Sequence, residues 1–193
     1  MKVGVLSLQG AVAEHLLKIK ECGHEGIKVK TIKDLEEVER LIIPGGESTT
    51  IGKLAQLYGL DKAIVDKCKK GMPVYGTCAG MILLAKNIVN SKQIKFNLMD
   101  ITVVRNVFGR QVDSFEADLD IAGLKGGIFK AVFIRAPYIK EVARHVKILS
   151  LFEDKIVMAQ QNNILVTSFH PELSNDIRVH DYFLGQDFNK NDV

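Results

Sequence analysis

The sequence predicts an α/β fold: a mostly parallel open sheet with helices on both faces and a small antiparallel annex. Three observations predict it. Through residues 1–86 short, contiguous apolar runs alternate with amphipathic helical patterns. Unbroken apolar strands belong in sheets covered on both faces, and strand alternating with helix is what parallel crossovers require. From about Asp100 the texture changes to a succession of extended runs, which suits an annex followed by the last sheet strands.

Each element has its own signal. "KVGVLSL" at residues 2–8 reads as a buried strand, Ala11 to Cys22 as an amphipathic helix stopped by Gly23, and "IKVKTI" as a second strand. "RLIIPGG" is a strand running into a glycine turn, after which Ser48 or Thr49 is expected to cap a helix through "TIGKLAQLYGL". Asp61 is expected to cap the next helix, which ends at Gly71. "PVYG" is then a strand, followed by the helix-like run "MILLAK". The later extended runs are "ITVVRNV", "DSFEADLDI", "FKAVFIRA", "VKILSLF", "KIVMAQQ" and "ILVTSFH", and a helix capped near Ser174 passes through Tyr182 and Phe183.

Composition bounds the function. With 193 residues, 47% of them hydrophobic, the chain is long enough for one well-buried core and short for two, and no internal repeat or linker interrupts it. A single domain over 1–193 is the expectation. No run of about 18 apolar residues is present to span a membrane, and the N-terminus "MKVGVLSLQG" lacks the parts of a signal peptide, so a cytoplasmic protein is expected. A formal charge of +3, spread along the chain, gives no footprint for nucleic acid. Cys22, Cys68 and Cys78 are an odd number without a metal-type CxxC pair, which fits a reducing compartment and leaves a thiol available for chemistry.

That thiol has a setting. In "MPVYGTCAG" (72–80) a Gly-x-Cys-x-Gly turn joins a strand to a helix, the geometry of a nucleophile elbow, where small neighbours permit a strained backbone and the helix start favours a thiolate. The base is sought among five histidines. His15, His24, His145 and His180 fall in charged, helix-like or loop surroundings and read as solvated, whereas His170 ends the apolar strand "ILVTSF" and is followed by Pro171 and Glu172. In extended backbone residues two apart share a face, so Glu172 can orient the imidazole. Cysteine, histidine and glutamate in these places have the logic of a catalytic triad. "PGGES" (44–48) lies at another strand end, where the N–H of Gly46 and that of Ala79 can face a developing oxyanion, although a double glycine alone reads more readily as a plain turn. Gln9-Gly10 and Gly45-Gly46 follow strands at this same edge, which makes them candidates for the rim on which a partner docks.

These motifs carry a resemblance. "PGGES", "GTCAG" and "SFHPE", in that order, resemble the class I, triad-type glutamine amidotransferases, whose sheet is flavodoxin-like. "LQGAVAEH" (8–15), "PGGESTT" (44–50), "GTCAGMILLAK" (76–86), "RNVFGRQVDSFE" (105–116), "FIRAP" (133–137) and "SFHPEL" (168–173) narrow it to the glutaminase subunits of pyridoxal 5′-phosphate synthases. The resemblance implies that Cys78 is the nucleophile, with His170 and Glu172 as its relay, and that glutamine is held by Gly46, Glu47, Ser48, Arg105, Ile134 and Arg135. On composition alone Arg105 and Arg135 read equally as surface charges of the annex. Val112, Asp113 and the tail "GQDFNKNDV" are where the chain departs from relatives. The resemblance further implies hydrolysis of L-glutamine to glutamate and ammonia without metal or organic cofactor. Its partner would be a (β/α)-barrel pyridoxal 5′-phosphate synthase in a heteromeric complex. A glutaminase serving another synthase, a related cysteine hydrolase, and a binding subunit without catalysis are the rival readings; the last would be marked by a missing Cys, His or Glu, and none is missing.

Overall fold

The computed structural model describes residues 1–105 and 114–186. Its first half runs β1 (Lys2–Leu6), α1 (Val12–Glu21), β2 (Glu25–Val29), α2 (Ile32–Glu36), β3 (Arg40–Ile43), α3 (Ser48–Leu57), α4 (Leu60–Lys69), β4 (Val74–Thr77), α5 (Ala79–Leu84) and β5 (Ala85–Ile88). The second half runs β6 (Met99–Val104), β7 (Ser114–Leu119), β8 (Phe129–Ile134), β9 (Tyr138–Val142), β10 (Lys147–Phe152), β11 (Lys155–Gln161), β12 (Ile164–Thr167), a 3₁₀ turn Pro171–Leu173 and α6 (Arg178–Gly185). β1, β2, β3, β4 and β12 pair in parallel in the order β2-β1-β3-β4-β12, and β11, β9, β6 and β5 continue the same sheet, with β10 on β11. β7 and β8 form a separate antiparallel pair.

The apolar strands are contiguous in sequence because each face feeds a different core. Leu6, Leu41, Ile43, Val74 and Val166 point into one cluster, covered by Ile51 and Ala55 of α3, Leu60 and Ile64 of α4, and α5. Their neighbours Val5, Ile42, Tyr75 and Leu165 point into the other, covered by Ile19 of α1, Val179 and Phe183 of α6, and the inner residues of β7 and β8, including Phe129 and Phe133. This period of two is what a strand buried on both sides produces. The annex therefore closes the second core. Its ring stack of Phe115 on Phe133, with centroids 4.8 Å apart, continues to Phe169, next to His170.

Several expected boundaries differ. Glu47, rather than Ser48 or Thr49, caps α3: its carboxylate accepts from the backbone N–H of Thr49 at 3.1 Å and of Thr50 at 2.6 Å. Its longer side chain reaches back over the first turn while Ser48 turns inward. Gly59, at φ 70°, precedes α4, and Asp61 lies within the first turn. The final helix starts at Arg178 because the 3₁₀ turn occupies Pro171–Leu173; Asp176 accepts from the Arg178 backbone N–H at 3.0 Å. α2 is an addition, started by a capping box between Thr31 and Asp34 that takes over the end of "IKVKTI". β5 and β9 also went unassigned in the sequence. The expectations for residues 106–113, among them Val112, Asp113 and the middle of the 105–116 motif, and for the tail beyond 186 lie outside the described residues. No helix of the described residues is long and apolar enough to cross a membrane.

Candidate active site

The chain runs from β1 outward to β2 and then back across to β3 and β4, so the connections leaving β1 and β3 part in opposite directions. A crevice opens at the carboxyl ends of strands at such a reversal. Gln9 and Gly10 follow β1, Pro44 to Glu47 follow β3, Cys78 follows β4, and His170 lies just beyond β12. Four chain segments distant in sequence thus converge on one edge.

Cys78 is held by strain and by close packing. Its backbone sits at φ 48°, ψ −98°, a conformation that costs a non-glycine residue of order 1–3 kcal/mol. The Cys78 N–H donates to the Thr167 carbonyl of β12 at 2.8 Å, fixing the turn against the next strand. The flanking glycines answer to the same packing: a methyl group at Gly76 would lie 2.6 Å from the Gly80 carbonyl carbon, and one at Gly80 would overlap the Ile43 carbonyl oxygen. α5 can approach β3 and β4 this closely only without Cβ atoms at these two positions. Ala79 is the first residue of α5, so its N–H is among the first-turn donors that lack an intrahelical acceptor.

His170 faces the same cavity as Cys78, and its Nδ1 is 2.7 Å from Oε1 of Glu172. Its backbone N–H donates to the Val132 carbonyl of β8 at 2.8 Å, which ties the annex to the site. The imidazole lies against Gly45, where any side chain would overlap its Cε1. Burial alone would lower the His170 pKa, but the hydrogen bonds and charges of Cys78 and Glu172 outweigh it and raise it to about 10. Glu172 is buried too, a cost to the carboxylate that His15 and His170 offset, leaving it below its ordinary range.

Gln9, Gly46, Glu47, Ser48, Cys78 and His170 line one cavity of about 290 Å³ with Ile82, Arg105, Ile134 and Arg135. The residues expected to hold substrate are therefore brought together with the expected nucleophile and base, and Gln9, expected at a partner rim, belongs to the pocket wall. Its Oε1 accepts from the Glu47 N–H at 2.7 Å, while the Gly45 carbonyl accepts from the Ala11 N–H at 3.0 Å. Gly10, at φ 107°, is pressed against that carbonyl with no room for a side chain. Arg135, at φ 42°, follows β8 in the left-handed region and lines the pocket. Because the Glu47 carboxylate is spent on capping α3, which holds its pKa at about 2 through the Thr50 hydroxyl and then the Thr50 and Thr49 N–H groups, its contribution to the cavity is mainly backbone. The combination of thiol, imidazole, carboxylate, cationic arginines and first-turn N–H groups suits acyl transfer from a small zwitterionic amide. Among the described residues no group of three or more His, Cys, Asp or Glu is arranged to hold a metal ion.

A model of the SNO glutamine amidotransferase family matches residues 5–189. The chain belongs to this family. It is 54% identical over 184 residues to the pyridoxal 5′-phosphate synthase subunit PdxT of Desulforamulus reducens, covering 95% of this chain and 98% of that one. The corresponding subunit of Pelotomaculum thermopropionicum is 55% identical, at 95% and 94% coverage. A crystal structure described as a glutamine amidotransferase superposes with a TM-score of 0.91 at 46% identity, covering 95% of this chain and 97% of that chain. A chain from the PurLQS structure of Thermotoga maritima aligns at a TM-score of 0.68 with 14% identity, a likeness of fold alone.

Two features of this SNO-family site were not legible as such in the sequence. Gln93 receives Ser48 Oγ at 3.3 Å and Arg105 Nη1 at 2.7 Å on its Oε1, joining two pocket residues from behind. A polar glutamine in a loop gave no signal for it. His15 and His180, read as solvated, are both fully buried. The signal was present in their spacing: His15 falls on the α1 stripe with Val12, Leu16 and Ile19, and His180 sits between Val179 and the Phe183-Leu184 pair on α6. His145 is exposed, as expected, with Nε2 3.0 Å from Asp100 Oδ2; His24 is half-buried.

Proposed function

We propose that the chain, acting over 1–193 as one glutaminase domain, hydrolyses L-glutamine with a Cys78, His170, Glu172 triad. The ammonia would pass to a synthase subunit that makes pyridoxal 5′-phosphate. The observation that carries the reading is the strained Cys78 turn opening into the cavity beside a His170 that is hydrogen-bonded to a buried carboxylate. Membership of a glutamine amidotransferase family, and relatives named as synthase subunits, support the substrate and the partner.

In this reading Arg105 receives the α-carboxylate of glutamine through charge-assisted hydrogen bonds. Gly46, Glu47 and Ser48 line the same cavity, Ser48 beside Arg105 through their shared bond to Gln93, with Ile134 and Arg135 completing the lining. The Cys78 thiolate attacks the δ-carbonyl carbon, forming the C–S bond as the carbonyl electrons move to oxygen, where the N–H groups of Gly46 and Ala79 stabilise them. Collapse of that intermediate breaks the C–N bond while the His170 imidazolium protonates the departing nitrogen, releasing ammonia and leaving a thioester. His170, now neutral, takes a proton from water, which attacks the thioester; the C–S bond breaks and glutamate leaves. Glu172 keeps the imidazole oriented through both halves. Every group required is a side chain or backbone amide of the protein, so the reading calls for no cofactor. Ammonia released into open water would be protonated and lost, so a (β/α)-barrel synthase docked over the rim at Gln9 and Gly10, in the cytoplasm, is the expected consumer.

The test is glutamate release from glutamine by the chain with its synthase, compared with Cys78→Ala in the same complex. The variant is expected to retain fold and partner binding and to lose hydrolysis. Hydrolysis at the parental rate would remove the assignment, and stimulation by a different synthase but not this one would redirect the ammonia.

A further inference from the structure

The motif at residues 8–15 ends in His15, yet the proposed chemistry draws on the other end of the segment. α1 carries His15 under the elbow, where the ring is fully buried. Its Nε2 is 3.2 Å from Oγ1 of Thr77, the residue before Cys78, and 3.5 Å from Oε2 of Glu172. That oxygen has no conventional hydrogen bond, whereas Oε1 of the same carboxylate engages His170. On the far side of the ring, Nδ1 lies 2.9 Å from Nε2 of His180, on α6. His180 is also fully buried, and its own Nδ1 has no partner. A line of side chains thus runs from Cys78 through His170 and Glu172 to two histidines on helices outside the triad.

Proton placement along this line is constrained. A cationic His15 would donate from both nitrogens, so His180 would have to accept at Nε2 and keep its proton on Nδ1, a buried donor with nothing to receive it. A neutral His15 with its proton on Nδ1 would turn a lone pair toward a carboxylate oxygen. With the proton on Nε2, His15 faces Thr77 and Glu172 with a donor, accepts at Nδ1 from His180 Nε2–H, and leaves only an unused lone pair on His180 Nδ1, the smaller loss. Burial acts in the same direction, holding both histidines below their ordinary pKa. The charged and titratable groups around the pair are Glu172 and His170 at the 3₁₀ turn, Glu14 and Lys18 on α1, and Tyr75 on β4, whose ring centroid is 6.2 Å from that of His180.

We propose that His15 and His180 are a positioning pair for the hydrolysis: His15, kept neutral and oriented by His180, presents its Nε2–H to the outer oxygen of Glu172 and so holds that carboxylate aimed at His170. A neutral donor suits this place, because a second cation would compete with the His170 imidazolium for the carboxylate. The proposal rests on the triad reading given above.

The test uses the complex with its synthase. His15→Leu keeps bulk and removes the donor; it is expected to lower kcat for glutamate release by about 10-fold to 100-fold, as loss of other groups that orient a catalytic side chain does. KM for glutamine should stay near the parental value, since His15 is not in the cavity wall. The acid limb of the pH profile of kcat/KM should move to higher pH, because Glu172 would protonate more readily. His15→Gln, whose amide N–H can reach the same oxygen, should restore most of kcat and return the limb. A purely structural histidine would leave the limb in place in both variants. A folded His15→Leu with parental kcat and pH profile would overturn the proposal, as would a His15→Gln equally impaired. Should His15→Leu fail to fold, ¹⁵N NMR of the unsubstituted protein decides: protons on Nε2 of both neutral rings are expected, and a cationic or Nδ1-protonated His15 overturns it. Cys78→Ala run alongside separates the two readings, since hydrolysis by that variant defeats the triad, whereas an inactive Cys78→Ala beside an unimpaired His15→Leu defeats only the positioning pair.

Discussion

At the scale of single residues the site separates groups that react from groups that hold. In the proposed chemistry His170 moves the proton, so His170→Asn should lose glutamate release across the pH range, measured with saturating synthase. Activity that returned on raising the pH toward the range where a free thiol ionises, about 8.5, would confine the histidine to ionising the thiol. Glu47 belongs to the holding group. Replacing it with alanine should cost about 1 kcal/mol in urea unfolding, the usual cost of a lost N-cap. Its pKa is depressed to about 2 from an ordinary value near 4.5. The folded state thus binds the proton less readily than the unfolded chain, and the cap's contribution is complete above the ordinary value and lost as pH falls through about 2. Parent and variant should therefore converge in stability over that window; a difference that stayed constant would mean the carboxylate does not cap. Cys78, His170 and Glu172 were legible because their flanking letters are unusual: glycines around a cysteine, and a histidine closing an apolar strand two positions before a carboxylate. His15 and His180 were not, because a polar residue in an amphipathic helix reads as solvated unless its place on the apolar stripe is weighed first.

At the scale of elements, glycines decide how closely the turns approach. Gly45→Ala would push a methyl into the His170 ring. A misplacement of about 1 Å at a reacting group is worth on the order of 10²-fold in rate, so kcat should fall by that order while the unfolding midpoint changes little by comparison. Parental kcat in this variant would mean that the ring is not seated on Gly45 during turnover. The Gly45-Gly46 peptide is held at its carbonyl by the Ala11 N–H, and the next peptide, Gly46-Glu47, by Gln9 on the Glu47 N–H. Docking on the Gln9-Gly10 rim would act on the same contacts that orient this peptide. If docking sets the Gly46 N–H toward the oxyanion, synthase should raise kcat by about 10²-fold to 10³-fold, the worth of one such donor. Equal kcat with and without synthase would show a hole complete from the start. The strands and helices that frame these turns were legible from their periodicity, since burial on both faces leaves unbroken apolar runs. Caps were less so, because Glu47, Ser48 and Thr49 each carry a side-chain oxygen and only the backbone path decides which one reaches the first turn.

At the scale of the whole molecule, the parallel strands β2-β1-β3-β4-β12 bring four distant loops to one edge, and the remainder closes the cores behind them. Alternation of strand and helix predicted that edge. It did not predict that β11 would pair with β9 and so join the expected annex to the main sheet, leaving β7 and β8 apart over the second core. Which of several successive extended runs pair is decided by tertiary packing and leaves no local signature, while β5 and β9 are too short and too polar to stand out as strands. The structure ties the β7-β8 pair to the chemistry through the bond from His170 N–H to Val132. The central claim is that Cys78 is the residue that takes the acyl group. It is tested most directly by quenching the chain with its synthase in acid during glutamine turnover and mapping the modified peptide by mass spectrometry. The account predicts a glutamyl thioester on the peptide containing Cys78 and none on those containing Cys22 or Cys68. A glutamyl group on either of the other cysteines, with Cys78 unmodified, would contradict it.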